Sequence, residues 1–183
     1  MNKLKLLVTG GAGFIGSAFI REAISRKFSV LNLDSLTYAS SKASLETISK
    51  NKAYSFVKLD IRDRNSLYDA LKEFSPDRVI HFAAETHVDK SIDSPVNFIE
   101  TNIIGTFNLL DCANKYWKDA GKPSTFRFLH ISTDEVYGSL GSKGMFKETT
   151  KYDPSSPYSA SKASSDHLVR AWGKTFNFPI LIT

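Results

Sequence analysis

The stretch Leu6-Leu7-Val8-Thr9-Gly10-Gly11-Ala12-Gly13-Phe14-Ile15-Gly16 limits what this 183-residue chain can fold into more than any other part of it. An apolar run stops at Thr9, and four of the ten glycines follow within seven residues. Next comes an amphipathic segment with Phe19, Ile20, Ala23 and Ile24 at helical spacing. Strand, glycine turn and helix in this order open a parallel α/β unit. Gly11-x-Gly13-x-x-Gly16 fits the dinucleotide fingerprint, and Gly10-x-x-Gly13-x-x-Gly16 fits its close variant. The first glycines allow a turn that side chains would block, Gly13 lets a pyrophosphate approach the backbone, and Gly16 lets helix and strand pack closely. The helix then aims free N–H groups and its positive dipole end at the phosphates. A glycine-rich turn without a ligand is the alternative, and the flanking strand and helix argue against it.

The helix is expected to run to about Arg26, followed by a strand over Ser29–Leu33 that ends in Asp34, 18 residues beyond Gly16. A dinucleotide fold places there the carboxylate that accepts the ribose hydroxyls. A carboxylate would repel a 2′-phosphate, so the position favours NAD over NADP. Downstream, 35–44 reads as a loop, 45–49 as a short helix, 54–59 as a strand, 64–74 as a helix ended by Pro76, and 78–84 as a fourth strand. His81 in that strand reads as a packed core residue, since no partner has metal-ligand spacing. The polar run Glu85-Thr86-His87-Val88-Asp89 follows at the carboxyl end, where open α/β sheets bind ligands, although a plain connecting loop fits equally well. One long helix is expected over 95–117, with a broad apolar stripe of Phe98, Ile99, Ile103, Phe107, Leu110 and Cys112 or Ala113. A strand over 126–132, an irregular loop over 138–151, a helix over 158–176 and a strand at 179–183 complete the chain. Strands alternating with helices imply a parallel sheet with right-handed crossovers, and the doubly wound order 3-2-1-4-5-6 is the one we expect. We therefore expect one dinucleotide-binding domain over 1–183.

Bulk properties exclude more than they specify. The chain is 42% apolar and 23% charged, as in an ordinary globular domain. The net charge of +5 comes from scattered lysines, whereas a nucleic-acid protein concentrates its charge in a stripe or patch. No apolar stretch is long enough to span a membrane, and since the chain runs straight into its first strand no signal peptide is expected. The single cysteine, Cys112, is expected to be buried and unpaired, which fits a reducing compartment.

Tyr158-x-x-x-Lys162 puts a phenol and an ammonium one turn apart on a helix face. Using a free tyrosine as a base near pH 7 costs about 4 kcal/mol, and a neighbouring cation lowers that cost by favouring the phenolate. Spacing alone selects nothing, because Tyr38/Lys42, Tyr54/Lys58 and Tyr68/Lys72 share it. Tyr158 differs in its setting. It opens a helix after the fifth strand, with the hydroxyl of Thr133 expected at that strand's end.

TGGAGFIG, Asp60-Ile61, HFAAETHVDKSI, ETNIIGT, STDEVYG and PYSASKA occur in this order. Together they resemble the extended short-chain dehydrogenase/reductase family. The Thr133-Asp134-Glu135 triplet narrows the likeness to its nucleotide-sugar 4,6-dehydratases, the dTDP-glucose type above all. The resemblance implies an NAD-dependent hydro-lyase. Tyr158, supported by Lys162, would take the proton of the sugar O4, and Thr133 would hold O4 in line. C4 would give hydride to NAD, Glu135 would remove the C5 proton, Asp134 would protonate the departing C6 hydroxyl, and hydride would return to C6, giving a 4-keto-6-deoxy nucleotide sugar. Adjacent carboxyls in a partly dry pocket can separate their affinities for protons enough to act in opposite senses.

The resemblance also implies cofactor contacts at Gly10, Gly13, Phe14, Ile15, Gly16, Asp34, Ser35, Leu36, Thr37, Asp60, Ile61, Phe82, Ala83, Ala84, Thr101, Tyr158 and Lys162, with Thr86 and Thr133 on the substrate and no metal. It further implies a cytoplasmic homodimer built through the helices that start near Pro95 and Tyr158. Members of the family continue beyond a sixth strand into a part that grips the nucleotide. A chain ending at Thr183 is thus expected to be a fragment with poor turnover, since remote contacts help drive chemistry. A 4-epimerase or decarboxylase of the same family, or a non-catalytic NAD-binding module, are the other readings.

Overall fold

The computed structural model describes residues 3–141 and 143–183. Its centre is a parallel sheet of β1 (Lys5–Thr9), β2 (Ser29–Asp34), β3 (Tyr54–Lys58), β4 (Arg78–His81), β5 (Arg127–His130) and β6 (Ile180–Ile182). The order is β3-β2-β1-β4-β5-β6, the doubly wound order expected. Alternate residues of each strand serve opposite faces. Leu6 and Val8 pack with Val30, Ile80 and the Ile20, Ala23 and Ile24 face of helix α1 (Phe14–Ser25). Leu7, Leu31, Val79 and Phe128 point the other way, against Leu67 and Leu71 of α2 (Arg64–Phe74), Leu109 and Trp117, and Val169. Burial on both faces explains why β1 reads as a continuous apolar run.

Boundaries follow local chemistry. Asp63 caps α2 by accepting from the Ser66 amide, and Ser75 ends it in the left-handed region just before Pro76. Helix α6 (Pro157–Phe176) opens with Pro157 and a reciprocal Ser156/Ser159 capping pair, which fixes where Tyr158 leaves the loop. The fourth strand stops at His81 rather than Ala84. Its neighbour β1 turns away at Gly10, so the last ladder-like bond is Phe82 N–H to the Thr9 carbonyl, 3.0 Å. The fifth strand is likewise trimmed to Arg127–His130.

Two departures matter for the site. The polar run after β4 contains a short helix, α3 (Val88–Asp93), too brief for periodicity to reveal. The expected single helix from Pro95 is instead α4 (Pro95–Phe98), a π-helical segment (Ile99–Gly105) and α5 (Thr106–Asp119). The wider π turn changes the angular phase of the residues beyond it, so the apolar stripe divides. Phe98, Leu109, Leu110, Cys112 and Ala113 are buried, whereas Ile99 and Ile104 face outward. The same turn points Asn102 inward. Its side-chain carbonyl accepts from Glu85 N, 2.8 Å, and its amide donates to the Glu85 carbonyl, 2.9 Å, and to Ser161 Oγ, 2.8 Å. His81 is a core residue, as expected. Its ring nitrogens meet Thr9 Oγ1 at 2.7 Å and Thr106 Oγ1 at 2.9 Å. Cys112 is buried and unpaired.

Candidate active site

A cavity of about 760 Å³ opens above the carboxyl ends of the strands, where the sheet order reverses between β1 and β4. At one end lies the glycine turn. Gly10 has φ +70°, and a Cβ there would lie 2.5 Å from the Ala83 nitrogen. A Cβ on Gly16 would lie 2.4 Å from the Gly10 carbonyl oxygen. At Gly13 a Cβ would meet only the Gly10 oxygen, at 3.3 Å, so that residue leaves its open side to the cavity. No side chain caps α1, whose first amides therefore lack intrahelical acceptors at the cavity wall. Gly11 serves the core side of the turn, with its N–H on Asn32 Oδ1 at 3.1 Å.

Asp34 lines the cavity and is buried. Its carboxylate accepts from Ala12 N, 2.9 Å, from Leu36 N, 2.8 Å, and from Ser40 Oγ, 2.8 Å. It thus ties the glycine turn to the loop after β2, a job the sequence did not suggest. Asp60 and Arg62 form the neighbouring wall. Burial pushes the Asp60 carboxyl upward, but hydrogen bonds from Arg62 outweigh it and hold the group below its ordinary value. Arg62 also reaches Glu100 at 2.8 Å. Ser35, Thr37, Ile61, Phe82, Ala83, Ala84 and Thr101 line the cavity with Phe14 and Ile15, and Leu36 does not. Thr86 sits in the wall beyond Glu85. Tyr38 crosses toward it and donates from Oη to Glu85 Oε2, 2.7 Å, which clasps two loops over the opening.

At the other end Thr133, Tyr158 and Lys162 line the wall. Thr133 is the N-cap of a 3-10 turn (Asp134–Tyr137), its Oγ1 accepting from Glu135 N at 3.3 Å. Asp134 and Glu135 lie on that turn just outside the cavity lining, yet near enough for their charges to act on the Tyr158 phenol. The constellation is therefore together in space, drawn from the end of β5 and the start of α6. Burial raises the Tyr158 phenol above its ordinary value, the Thr133 hydroxyl opposes this, and Glu135, Asp134 and Asp166 add to it. This reverses the direction that the Tyr-Lys spacing suggests. Lys162 Nζ instead donates to the Ile131 carbonyl, 2.7 Å, and its burial lowers it to about 8, with Asp166 pulling the other way. Of the other Tyr/Lys pairs, Tyr54/Lys58 lies on β3 and Tyr68/Lys72 on α2, both off the cavity wall.

Asn102, Tyr38 and Asp166 were not singled out from the sequence. Asp166 continues the Tyr158, Lys162 spacing by one more helical turn, a signal that was available. Among the described residues no group of three His, Cys, Asp or Glu side chains could hold a metal ion, and no helix is long and apolar enough to cross a membrane.

Comparison with known proteins agrees with this architecture. A family model described as GDP-mannose 4,6-dehydratase matches residues 7–183. A dTDP-glucose 4,6-dehydratase of Neisseria meningitidis is 54% identical over 98% of this chain and 52% of its own length. A probable dTDP-glucose 4,6-dehydratase of Sinorhizobium fredii is 50% identical over 98% of the chain and 52% of its own. The crystal structure of a dTDP-glucose 4,6-dehydratase from Streptomyces venezuelae, with NAD bound, superposes with TM-score 0.88 at 44% identity, covering 98% of this chain and 54% of that one. A Thermus thermophilus UDP-glucose 4-epimerase in complex with NAD gives 0.85 at 31%, again over 98% and 54%. The chain spans about half the length of the curated relatives it matches.

Proposed function

The chain belongs to the GDP-mannose 4,6-dehydratase family, and from that premise we propose that it forms the NAD-binding and catalytic domain of a nucleotide-sugar 4,6-dehydratase of the dTDP-glucose type. The observation that carries the reading is the gathering of Thr133, Asp134, Glu135 and Tyr158 at one end of a cavity whose other end is an uncapped helix behind open Gly13.

The cavity fits NAD. A side chain on Gly10 or Gly16 would collide with backbone, so the turn can only keep this shape, with open Gly13 and the α1 amides left for a pyrophosphate. Asp34 stands at the end of β2 with acceptor capacity left after its three protein bonds. Ser35, Thr37, Asp60, Ile61, Phe82, Ala83, Ala84 and Thr101 would complete the adenosine and central contacts, and Tyr158 and Lys162 those at the far ribose. When bound there, NAD would supply hydride acceptance from the sugar C4 and hydride return to C6.

The remaining work falls to the chain. Tyr158 Oη takes the proton from the sugar 4-hydroxyl, which Thr133 Oγ1 holds in place with help from Thr86 on the substrate side. With C4 a ketone, the C5 proton becomes acidic, and the Glu135 carboxylate takes it. Asp134 gives a proton to the C6 hydroxyl as it leaves as water. The same carboxylates explain the preference over an epimerase, whose chemistry needs neither. The high intrinsic proton affinity of Tyr158 is consistent with a base that needs cationic help, from Lys162 and from a bound nicotinamide.

Two finer points belong to this proposal. Ile92 and Val96, 65% and 64% exposed, lie with Ile99 and Ile104 along α3, α4 and the π segment. They would cover one another in a homodimer through the helices starting near Pro95 and Tyr158. The proposed cofactor and substrate are intracellular metabolites, so the cytoplasm is the proposed setting. The test is to incubate the protein, expressed from the complete reading frame that contains this chain, with dTDP-, UDP- and GDP-hexoses in turn. A 4-keto-6-deoxy product from dTDP-glucose is expected. Formation of a 4-epimer instead would replace the reading with the epimerase one.

A further inference from the structure

Asp166 lies outside the cavity lining and has no part in the chemistry just described, yet it is wholly buried. Its Oδ2 accepts from Ser132 Oγ at 2.6 Å and from Tyr152 Oη at 2.8 Å. His130 Nε2 stands 3.1 Å from its Oδ1. One turn earlier on α6 lies Lys162, 4% exposed, with its ammonium on the Ile131 carbonyl. The adjacent pair Ile131-Ser132 thus grips both charges: its carbonyl holds the cation and its hydroxyl holds the anion. The next residue is Thr133. The geometry points to Asp166 as the internal counter-anion that keeps Lys162 charged, a positioning residue that acts on Tyr158 through Lys162. This rests on the dehydratase reading for its effect on turnover, but not for the charge pairing itself.

The surroundings leave Asp166 alone in this role. On β4 and β5, His81 and His130 face Lys162; burial drives His81 well down and His130 to about 4, and the Lys162 charge pushes both the same way. Both rings are therefore neutral near pH 7 and give Lys162 no compensation. Glu135 and Asp134, and after them Asp166 itself, push Tyr158 upward, while Asp166 is the one group that draws Lys162 upward against its burial. Asp166 itself is pushed up by burial, but His130, Ser132 and Tyr152 outweigh that and keep it ionised. Arg170, a further turn along, is taken by Tyr152 Oη at 2.8 Å. An uncompensated buried ammonium sheds its proton, and Tyr158 would then lose its cationic neighbour.

The experiment has two arms. In the first, Asp166→Asn, Lys162→Met and the double variant are compared by urea midpoint, which needs no turnover. The proposal expects Lys162→Met to recover most of the stability that Asp166→Asn loses. If Asp166→Asn does not fold, the double variant should. Additive losses, or a double variant that fails where Lys162→Met folds, would overturn the pairing. In the second arm, the alkaline limb of the kcat profile with dTDP-glucose should move down by about one pH unit or more in Asp166→Asn. Asp166→Glu, which keeps the charge, should hold it in place. A uniform drop in kcat at unchanged profile would mean that Asp166 only braces the loop. A wild-type protein without turnover would sink the dehydratase reading and leave the stability arm to judge the charge pair.

Discussion

The two ends of the cavity are made in different ways. The glycine end is backbone: Gly10, Gly13 and Gly16 shape it within one strand-turn-helix, and the side chain that braces it, Asp34, comes from the next strand. The Tyr158 end is side chains, assembled from β5, the 3-10 turn after it and α6, on a bed of buried polar groups that includes His81, His130, Lys162 and Asp166. The first tolerates almost no added atom. The second depends on charges held in a dry interior, so it should respond to pH.

The largest effect should come from Tyr158→Phe in the full-length protein. Turnover of dTDP-glucose should fall by about three orders of magnitude, the range for losing a general base. NAD affinity, measured by fluorescence titration, should change by less than about tenfold, since most contacts lie at the glycine end. A comparable loss of NAD binding would erase the division between the ends. A pH series comes next. Folded His130 binds its proton only at about 4, against an ordinary 6.5. As pH falls from 6.5 toward 4 the unfolded chain takes the proton first, so stability should drop by roughly 3 kcal/mol. His130→Phe should flatten that part of the curve in urea unfolding. Lys162 works on the alkaline side: with a folded value of about 8 against 10.5, its burial costs stability below 8, and the cost fades as pH rises toward 10.5.

Gly16→Ala ranks third. Its Cβ would sit 2.4 Å from a backbone oxygen that cannot move aside cheaply, so a loss on the order of 2 kcal/mol is expected in thermal unfolding, with NAD binding weakened and no pH dependence added. A variant as stable as the parent would show that the turn is looser than its geometry says. The smallest folding effect belongs to Val96→Asp on the outer face of α4, within about 0.5 kcal/mol by unfolding. That variant should nonetheless move the sedimentation of the proposed homodimer toward that of a monomer.

The same contrast explains what could be read from the sequence. The glycine end is local in the chain. A strand ending in Thr9, the glycine spacing and Asp34 at the end of the next strand were legible because turn sterics and strand periodicity act within a few dozen residues. The parallel sheet followed from alternation, whereas its order was chosen as the doubly wound order of dinucleotide-binding chains. At the other end Tyr-x-x-x-Lys occurs four times, so spacing selected nothing; Tyr158 stood out by its setting at the start of a helix after the fifth strand, near Thr133, while the roles of Asp134 and Glu135 came from family resemblance. Asn102 was hidden by the π turn, which shifts side-chain phase without any composition signal. Asp34's grip on Ala12 and Tyr38's clasp on Glu85 were hidden because loop partners are not periodic. The upward push on Tyr158 was missed because spacing shows a neighbouring lysine but not the burial and carboxylates that oppose it.

The most direct measurement is the mass and NMR spectrum of the product made from dTDP-glucose in deuterated water by the full-length protein with NAD. Proton removal at C5 by Glu135, expulsion of water from C6, return to C6 of the hydride taken from C4 and reprotonation at C5 predict a 4-keto-6-deoxy product that has lost the elements of one water and carries a single solvent-derived deuterium at C5. A product of unchanged mass, or a dehydrated one with no deuterium at C5, would contradict the roles given to Asp134, Glu135 and Tyr158.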